Sequence, residues 1–462
     1  VRAFKIFGSL SVCALLLGCA AVIKNDPVNV AGTPDTLANR LDIGFKEDAV
    51  ENDVVIGLSF SGGGTRAAAF SYGVLAEMER MPVRGGQGPM IERLDFISGV
   101  SGGAVTAAYY GLKKRAGLAD FREKFLLRNA EENLQTEVSL LTLPRVMAGG
   151  INDSTGFPRW LDANLFHGAN FGQFRAEGRP RVWINASDIY NRTPFVFGAT
   201  SFRAMCSDLS EYPLADAVAA SAAVPVAFAP VVIKTFPGKC KEPLPSWVAR
   251  SRDNAGAPPM LSASAKAISR YHDGSMPYIK LLDGGLVDNY GLSGFTITRL
   301  SSETPYEPLT PAQAVKLRRG LFLVVDAKSG VAGNWVNTVE GPTGFELFRA
   351  AADTAVDAGV AGSYTAFERV MEDWRTALVK WRCGLSSAER ARLGARPGWS
   401  CRDLKFFIGR LGFDQFEGAR AAELEAIPTR FHLPAHQVDL AIAAGGDAFR
   451  KSPVVRGFAS GL

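Results

Sequence analysis

A serine flanked by glycines at the end of an apolar run is placed to act as a nucleophile, and Ser101 meets that description. It stands in Gly99-Val100-Ser101-Gly102-Gly103, after the apolar run Leu94–Ser98 and before a helix-like stretch that begins near Ala104. Gly-x-Ser-x-Gly between a strand and a helix is a nucleophile elbow, in which small neighbours permit the strained turn that exposes the hydroxyl. The plain alternative is that the glycines only ease contact between helix and strand. Upstream, Gly57-Leu58-Ser59-Phe60-Ser61-Gly62-Gly63-Gly64-Thr65-Arg66-Ala67 also joins an apolar run to a helical pattern. Consecutive glycines there leave backbone N–H groups free at a helix N-terminus, a site for a phosphate or for the oxyanion of a tetrahedral intermediate. Taken alone, it could be a tight turn. Downstream, Lys280-Leu281-Leu282-Asp283-Gly284-Gly285 ends a third apolar run with a carboxylate, which reads either as a group at the carboxyl edge of a sheet or as an Asx-type turn.

The elements that must position these groups read as an α/β chain. Short apolar runs at Val54–Phe60, Leu94–Ser98, Arg181–Ala186, Ile279–Leu282 and Leu321–Asp326 are interleaved with helical patterns such as Ala67–Arg80 and Gly103–Lys114. Runs of four to seven apolar residues, each followed by a helix-like pattern, predict βαβ units around a largely parallel sheet covered on both faces. Residues 241–275 show little periodicity and read as a long loop of the kind that forms lids. Residues 331–380 alternate at helical spacing, and Gly384–Arg402 reads as a solvated connection.

The 462 residues are 47% apolar and 21% charged, which is globular composition. A formal net charge of +5, spread along the chain, gives no basic patch for a nucleic-acid partner. At the N-terminus, Arg2 and Lys5 precede the apolar run Leu10–Leu17, which is too short to span a bilayer and reads as a signal peptide over residues 1–18. Leu16-Leu17-Gly18-Cys19 resembles the bacterial lipobox. The resemblance implies acylation of Cys19, a lipoprotein anchor and, with Ala20 next, the outer membrane facing the periplasm. Residues 19–50 then read as a tether and 51–462 as the domain. Cys206, Cys240, Cys383 and Cys401 would remain in an oxidising compartment; of three possible pairings, Cys206–Cys240 and Cys383–Cys401 are the local ones, with free thiols as the alternative. No spacing suggests a metal site, and no cofactor is expected.

Taken together and in this order, the glycine-rich loop, Gly-x-Ser-x-Gly and Asp-Gly-Gly resemble the patatin-like phospholipases. Asn185–Asp188 with Pro194–Phe197, and Ala220–Pro230, look like that family's intervening blocks, and Ile427 to Gly446 like its closing helical segment. The resemblance implies a three-layer α/β/α fold with a mostly parallel central sheet. It also implies a Ser101–Asp283 dyad without histidine, an oxyanion hole at Gly62, Gly63 and Gly64, and a phospholipid or other lipid ester as substrate. Ser61 and Ala67 depart from the family's usual Asp and Gly. Arg66 matches a basic position, to bind a lipid phosphate or, as the preferred reading, to brace the loop. Three other readings compete. A Ser-Asp-His esterase would need His432 or His436, which stand in no small-residue loop after a strand. A nucleotide-binding module lacks the Gly-Lys-Ser/Thr that phosphate binding requires. A non-catalytic lipid-binding lipoprotein would have no reason to keep both Ser101 and Asp283.

Overall fold

Eight strands form one sheet. In chain order the principal elements are β1 Val54–Phe60, α1 Gly64–Arg80, β2 Leu94–Val100, α2 Gly102–Lys113, β3 Arg181–Asp188, β4 Thr193–Val196, α3 Leu214–Ser221 and β5 Val231–Lys234. They continue with α4 Ser246–Arg252, α5 Pro259–His272, β6 Tyr278–Asp283, α6 Ser293–Ser301, β7 Arg319–Asp326, α7 Gly344–Cys383, β8 Lys405–Gly412 and α8 Ala435–Lys451. The structure is a computed structural model, and it describes residues 24–33, 53–83, 88–135, 142–147, 149–175, 180–240, 243–328, 330 and 334–461. The proposed signal peptide and Cys19 lie outside the described residues.

The strand order is β5-β6-β3-β2-β1-β7-β8, with β4 paired to β3. From β3 to β8 all neighbours are parallel, while β4, β5 and β6 add antiparallel pairings at one end. Every residue of the central strand β1 is buried, as a strand covered on both faces requires. Successive side chains serve opposite faces. Ile56, Leu58, Ile97 and Ile184 pack with Val74 of α1, Val105 of α2 and Phe449 of α8. Their neighbours Val55, Phe96, Phe322 and Val324 pack instead with Phe295 of α6 and with Phe367, Met371 and Trp374 of α7. The layers are helix, sheet, helix. Although α7 runs for 40 residues, no helix among the described residues is long and apolar enough to cross a membrane.

The closing helix α8 lies directly on α1, and glycines make that approach possible. A Cβ on Gly73 would sit 2.1 Å from the Ile442 carbonyl oxygen, and one on Gly445 would sit 2.1 Å from that of Phe70. Larger residues would force the helices apart, and with them the loop that opens α1.

Three expectations need correction. Residues 241–275 are no long loop: they hold α4 and α5. The buried face of α5 is Leu261, Ser264, Ala265, Ile268 and Tyr271, a helical spacing hidden in the sequence because serine and alanine carry little hydrophobic signal. The short strands β4 and β5 and the eight-residue β8 were not anticipated. Residues 24–33 are not free tether, because Asn29 is buried, donates to Ser207 Oγ (2.9 Å) and the Lys234 carbonyl (2.8 Å), and accepts from the Lys234 N–H (2.9 Å). The local cysteine pairs, Cys206–Cys240 and Cys383–Cys401, are both disulfide-bonded.

Candidate active site

Ser101 occupies the junction of β2 and α2 with φ 51° and ψ −121°. A non-glycine residue at positive φ is uncommon and persists only where its surroundings impose it. Here the Ser101 N–H donates to Ser221 Oγ at 2.8 Å, and the Ser221 hydroxyl donates to the Asn185 carbonyl at 2.6 Å. Asn185 Nδ2 in turn donates to the Gly99 carbonyl at 2.9 Å and to Ser98 Oγ at 2.8 Å. The elbow is thus gripped on both sides by α3 and β3. Ser101 itself is 4% exposed.

Asp283 reaches the serine by a route the sequence did not indicate. β6 runs antiparallel to β3 but pairs only with its last residues, so Asp283 lies at the carboxyl edge as expected: the register sets it opposite Ala186, one residue beyond Asn185, and Asn185 is the partner of Val100, where β2 ends. The Asp283 N–H donates to the Ala223 carbonyl at 2.8 Å, and the Gly284 N–H to the Ser221 carbonyl at 3.1 Å. The carboxylate accepts the Gly285 N–H at 2.7 Å and lies within hydrogen-bonding reach of the Ser101 hydroxyl. Burial pushes the Asp283 carboxyl up to about 6, against the lowering effect of those two hydrogen bonds. A carboxylate in that range is a much stronger proton acceptor than one in water.

The glycine loop lies beside this pair. Gly63 caps α1 at φ 137°, and Gly64 follows at φ 60°. A Cβ on Gly102 would meet the Gly64 carbonyl oxygen at 1.9 Å, and one on Gly64 would meet that of Arg430 at 2.4 Å. The three expected donors are not equivalent. The Gly62 N–H is taken by Asn289, through its carbonyl and its side-chain oxygen, both at 3.2 Å. Among the described residues the N–H groups of Gly63 and Gly64 have no partner. Both α1 and α2 begin here without a side-chain cap and without an acidic residue in the first turn. Two helix N-termini therefore present positive potential to the same point, which suits a developing oxyanion.

Arg66 is buried and spent on holding the loop: it donates to the carbonyls of Ala327 (2.8 Å) and Ile427 and to Thr429 Oγ1 (3.0 Å). Ser61, where the resemblance leads one to expect Asp, accepts the Ala327 N–H at 3.0 Å. The Thr65 N–H donates to the Arg430 carbonyl at 2.8 Å, and Glu131 fastens that segment by accepting the Phe431 N–H at 2.6 Å. Asn289, Ser221, Asn185 and residues 427–430 hold the site without having been assigned that role from sequence. All but Asn289 lie in stretches already singled out there, and residues 427–430 act mostly through backbone carbonyls, which no side-chain pattern marks.

The histidines do not join. His167, His432 and His436 are exposed, and His272 lies beside the Cys206–Cys240 disulfide. That trio is the one grouping of potential metal ligands among the described residues, and its sulfurs are bonded to each other.

The fold thus sets a serine at a strand-to-helix turn against a buried carboxylate. A family model described as patatin-like phospholipase matches residues 58–296, just over half of the chain, and the chain belongs to that family. No curated protein sequence matches it. Two solved structures are distantly similar. Human GIVD cytosolic phospholipase A2 aligns at 12% identity and a TM-score of 0.40, over 93% of this chain and 65% of that one. VipD from Legionella pneumophila aligns at 12% identity and a TM-score of 0.33, over 94% of this chain and 72% of that one. The chain thus spans about two thirds of the length of the first.

A base must be deprotonated to act, so any reaction that Asp283 serves as base should be flat in pH above its range and fall tenfold per pH unit below it, with an acid limb near 6 in kcat/KM. A profile still flat at pH 5 would show that no group of this kind is required.

Proposed function

We propose that the protein hydrolyses carboxylic esters of membrane lipids, phospholipid or lysophospholipid, through an acyl-enzyme on Ser101 with Asp283 as the base. The observation that carries this reading is the hydroxyl of a strained serine set against a buried carboxylate, with two unpartnered N–H groups beside it. Asp283 takes the proton as Ser101 Oγ attacks the ester carbonyl carbon. The carbonyl oxygen becomes an oxyanion facing the N–H groups of Gly63 and Gly64. Collapse expels the alcohol, which receives the proton from Asp283. A water molecule then attacks the acyl carbon while Asp283 accepts its proton, and on collapse Asp283 returns that proton to the departing Ser101 oxygen, releasing the fatty acid. Each donor of the oxyanion hole contributes ~3 kcal/mol of transition-state stabilisation.

A lipid substrate is favoured by the rim of the site. Val224 follows the residue that holds the Asp283 N–H, and Leu286 follows the glycine that donates to its carboxylate; both side chains are exposed. Apolar side chains in water next to a polar dyad suit an acyl chain better than a soluble ester. The N-terminal pattern belongs to the same proposal: an acylated Cys19 would hold the enzyme at the bacterial envelope, where its substrate is.

Two experiments bear on this. Against phospholipid vesicles, Ser101→Ala and Asp283→Asn should each lower kcat by roughly a thousandfold or more, while singly replacing each of the four histidines should change it less than about threefold. Retained turnover in Ser101→Ala would sink the dyad, and a histidine variant as inactive as Ser101→Ala would restore a triad. In a bacterial host, labelled palmitate should be incorporated by the wild-type protein and not by Cys19→Ala; equal labelling of both would remove the anchor from the proposal.

A further inference from the structure

A cavity of about 470 Å³ lies away from the dyad, enclosed by β4, α4, α5 and α6. Neither Ser101, Asp283 nor any residue of the glycine loop lines it. Phe96, Trp183 and Phe295 in its wall belong with the core on the sheet face opposite α2, and Phe195, Ala204, Ile268 and Tyr271 with the core that includes α2, so the cavity is lined from both.

Its size falls in the range of small-molecule sites, ~300–1,000 Å³. It equals the liquid volume of roughly sixteen water molecules at ~30 Å³ each. A methylene group occupies a similar volume, so the space suits one long alkyl chain and not two. The walls are largely apolar and aromatic, including Trp183, Phe195, Trp247, Ile268 and Phe295. Water held against such walls is readily displaced by hydrocarbon.

The polar groups at the cavity indicate what heads that chain. The two acids are already engaged: Glu303 is paired with Arg250 and accepts from Ser246, and the Glu307 carboxylate accepts the Glu303 N–H at 3.0 Å. Arg203, half-buried in the wall, has no carboxylate partner among the described residues. Ser264 is 6% exposed, lines the same space, and its hydroxyl is buried with no hydrogen-bond partner. A buried hydroxyl left without a partner is costly, and a guanidinium without a counter-charge at an apolar cavity is uncommon. One chemistry answers both: a carboxylate accepts from a guanidinium in fork geometry and from a hydroxyl.

We propose that this cavity binds a single fatty carboxylate, its chain between Trp247 and the Trp183–Phe295 wall and its headgroup on Arg203, as a site separate from the dyad. The site stands on the cavity alone and does not rest on the hydrolase reading. Its ligand has the chemistry of the acid that ester hydrolysis would release, and also of acid drawn from a membrane.

Quenching of tryptophan fluorescence by dibromostearate tests it, because bromine quenches only indoles it touches and two line the cavity. Saturable quenching is expected in the wild-type protein and equally in Ser101→Ala, which separates this site from the dyad. Trp247→Phe should remove a large part of the signal. Arg203→Gln and Thr298→Phe, the latter filling the space from α6, should each weaken binding by about tenfold or more, as should replacing the acid by dibromostearyl alcohol. Arg203→Gln disturbs no packed apolar side chain, so its result stands even if the phenylalanine perturbs α6. An absence of saturable quenching, loss of binding in Ser101→Ala, wild-type affinity in Arg203→Gln, or equal affinity for the alcohol would each overturn the proposal. So would a brominated lysophosphatidylcholine that binds as tightly as the acid, since its headgroup offers no carboxylate.

Discussion

The site depends on keeping one carboxylate out of water with very few partners. Asp283 is 8% exposed and, among the described residues, has the Gly285 N–H and the Ser101 hydroxyl to stabilise its charge. More donors would lower its proton affinity and leave it inert as a base; fewer would keep it protonated. The balance requires that Asp283 arrive from a strand running against its neighbours. It also requires a serine forced to positive φ, held there by Ser221 and Asn185 rather than by its own preferences. The elbow, the antiparallel β6 and the short helix α3 therefore serve a single constraint.

The glycine loop is held from a greater distance in sequence. The family match ends at residue 296, yet the acceptors for Arg66 and Thr65 are Ala327, Ile427, Thr429 and Arg430. The C-terminal third is part of the machinery, because α8 packs on α1 at glycine-to-backbone distance and the segment before it closes over Gly64. Displacing that segment would free the loop without touching the dyad. The second cavity shares no lining residue with the dyad or the glycine loop.

Much of this was legible in the sequence where the information is local. Glycine before a helix, serine in a tight turn and aspartate before two glycines each carry their own conformational reason, and β1, β2 and β7 are apolar because both their faces are covered. What stayed hidden is of two kinds. α5 buries serine and alanine, so its face carries little contrast, and β4 and β5 are four residues each, too short for a pattern. The other kind is pairing through the main chain. The Arg430 and Ile427 carbonyls would accept from the loop whatever side chains they bore, and the Gly62 N–H is withdrawn by Asn289 only because the folded chain brings the two together. The expectation of three free glycine donors therefore resolves into two.

The central claim is that Asp283 makes the Ser101 oxygen a nucleophile, and covalent capture reads it directly. The full-length protein would be treated with a fluorophosphonate, digested and mapped by mass spectrometry, with the rate of adduct formation followed over time. The account predicts one adduct, on the peptide bearing Ser101, formed at least about a hundredfold more slowly once Asp283 is replaced by Asn. An adduct on another serine, or labelling of Ser101 at an undiminished rate in the Asp283→Asn protein, would contradict it.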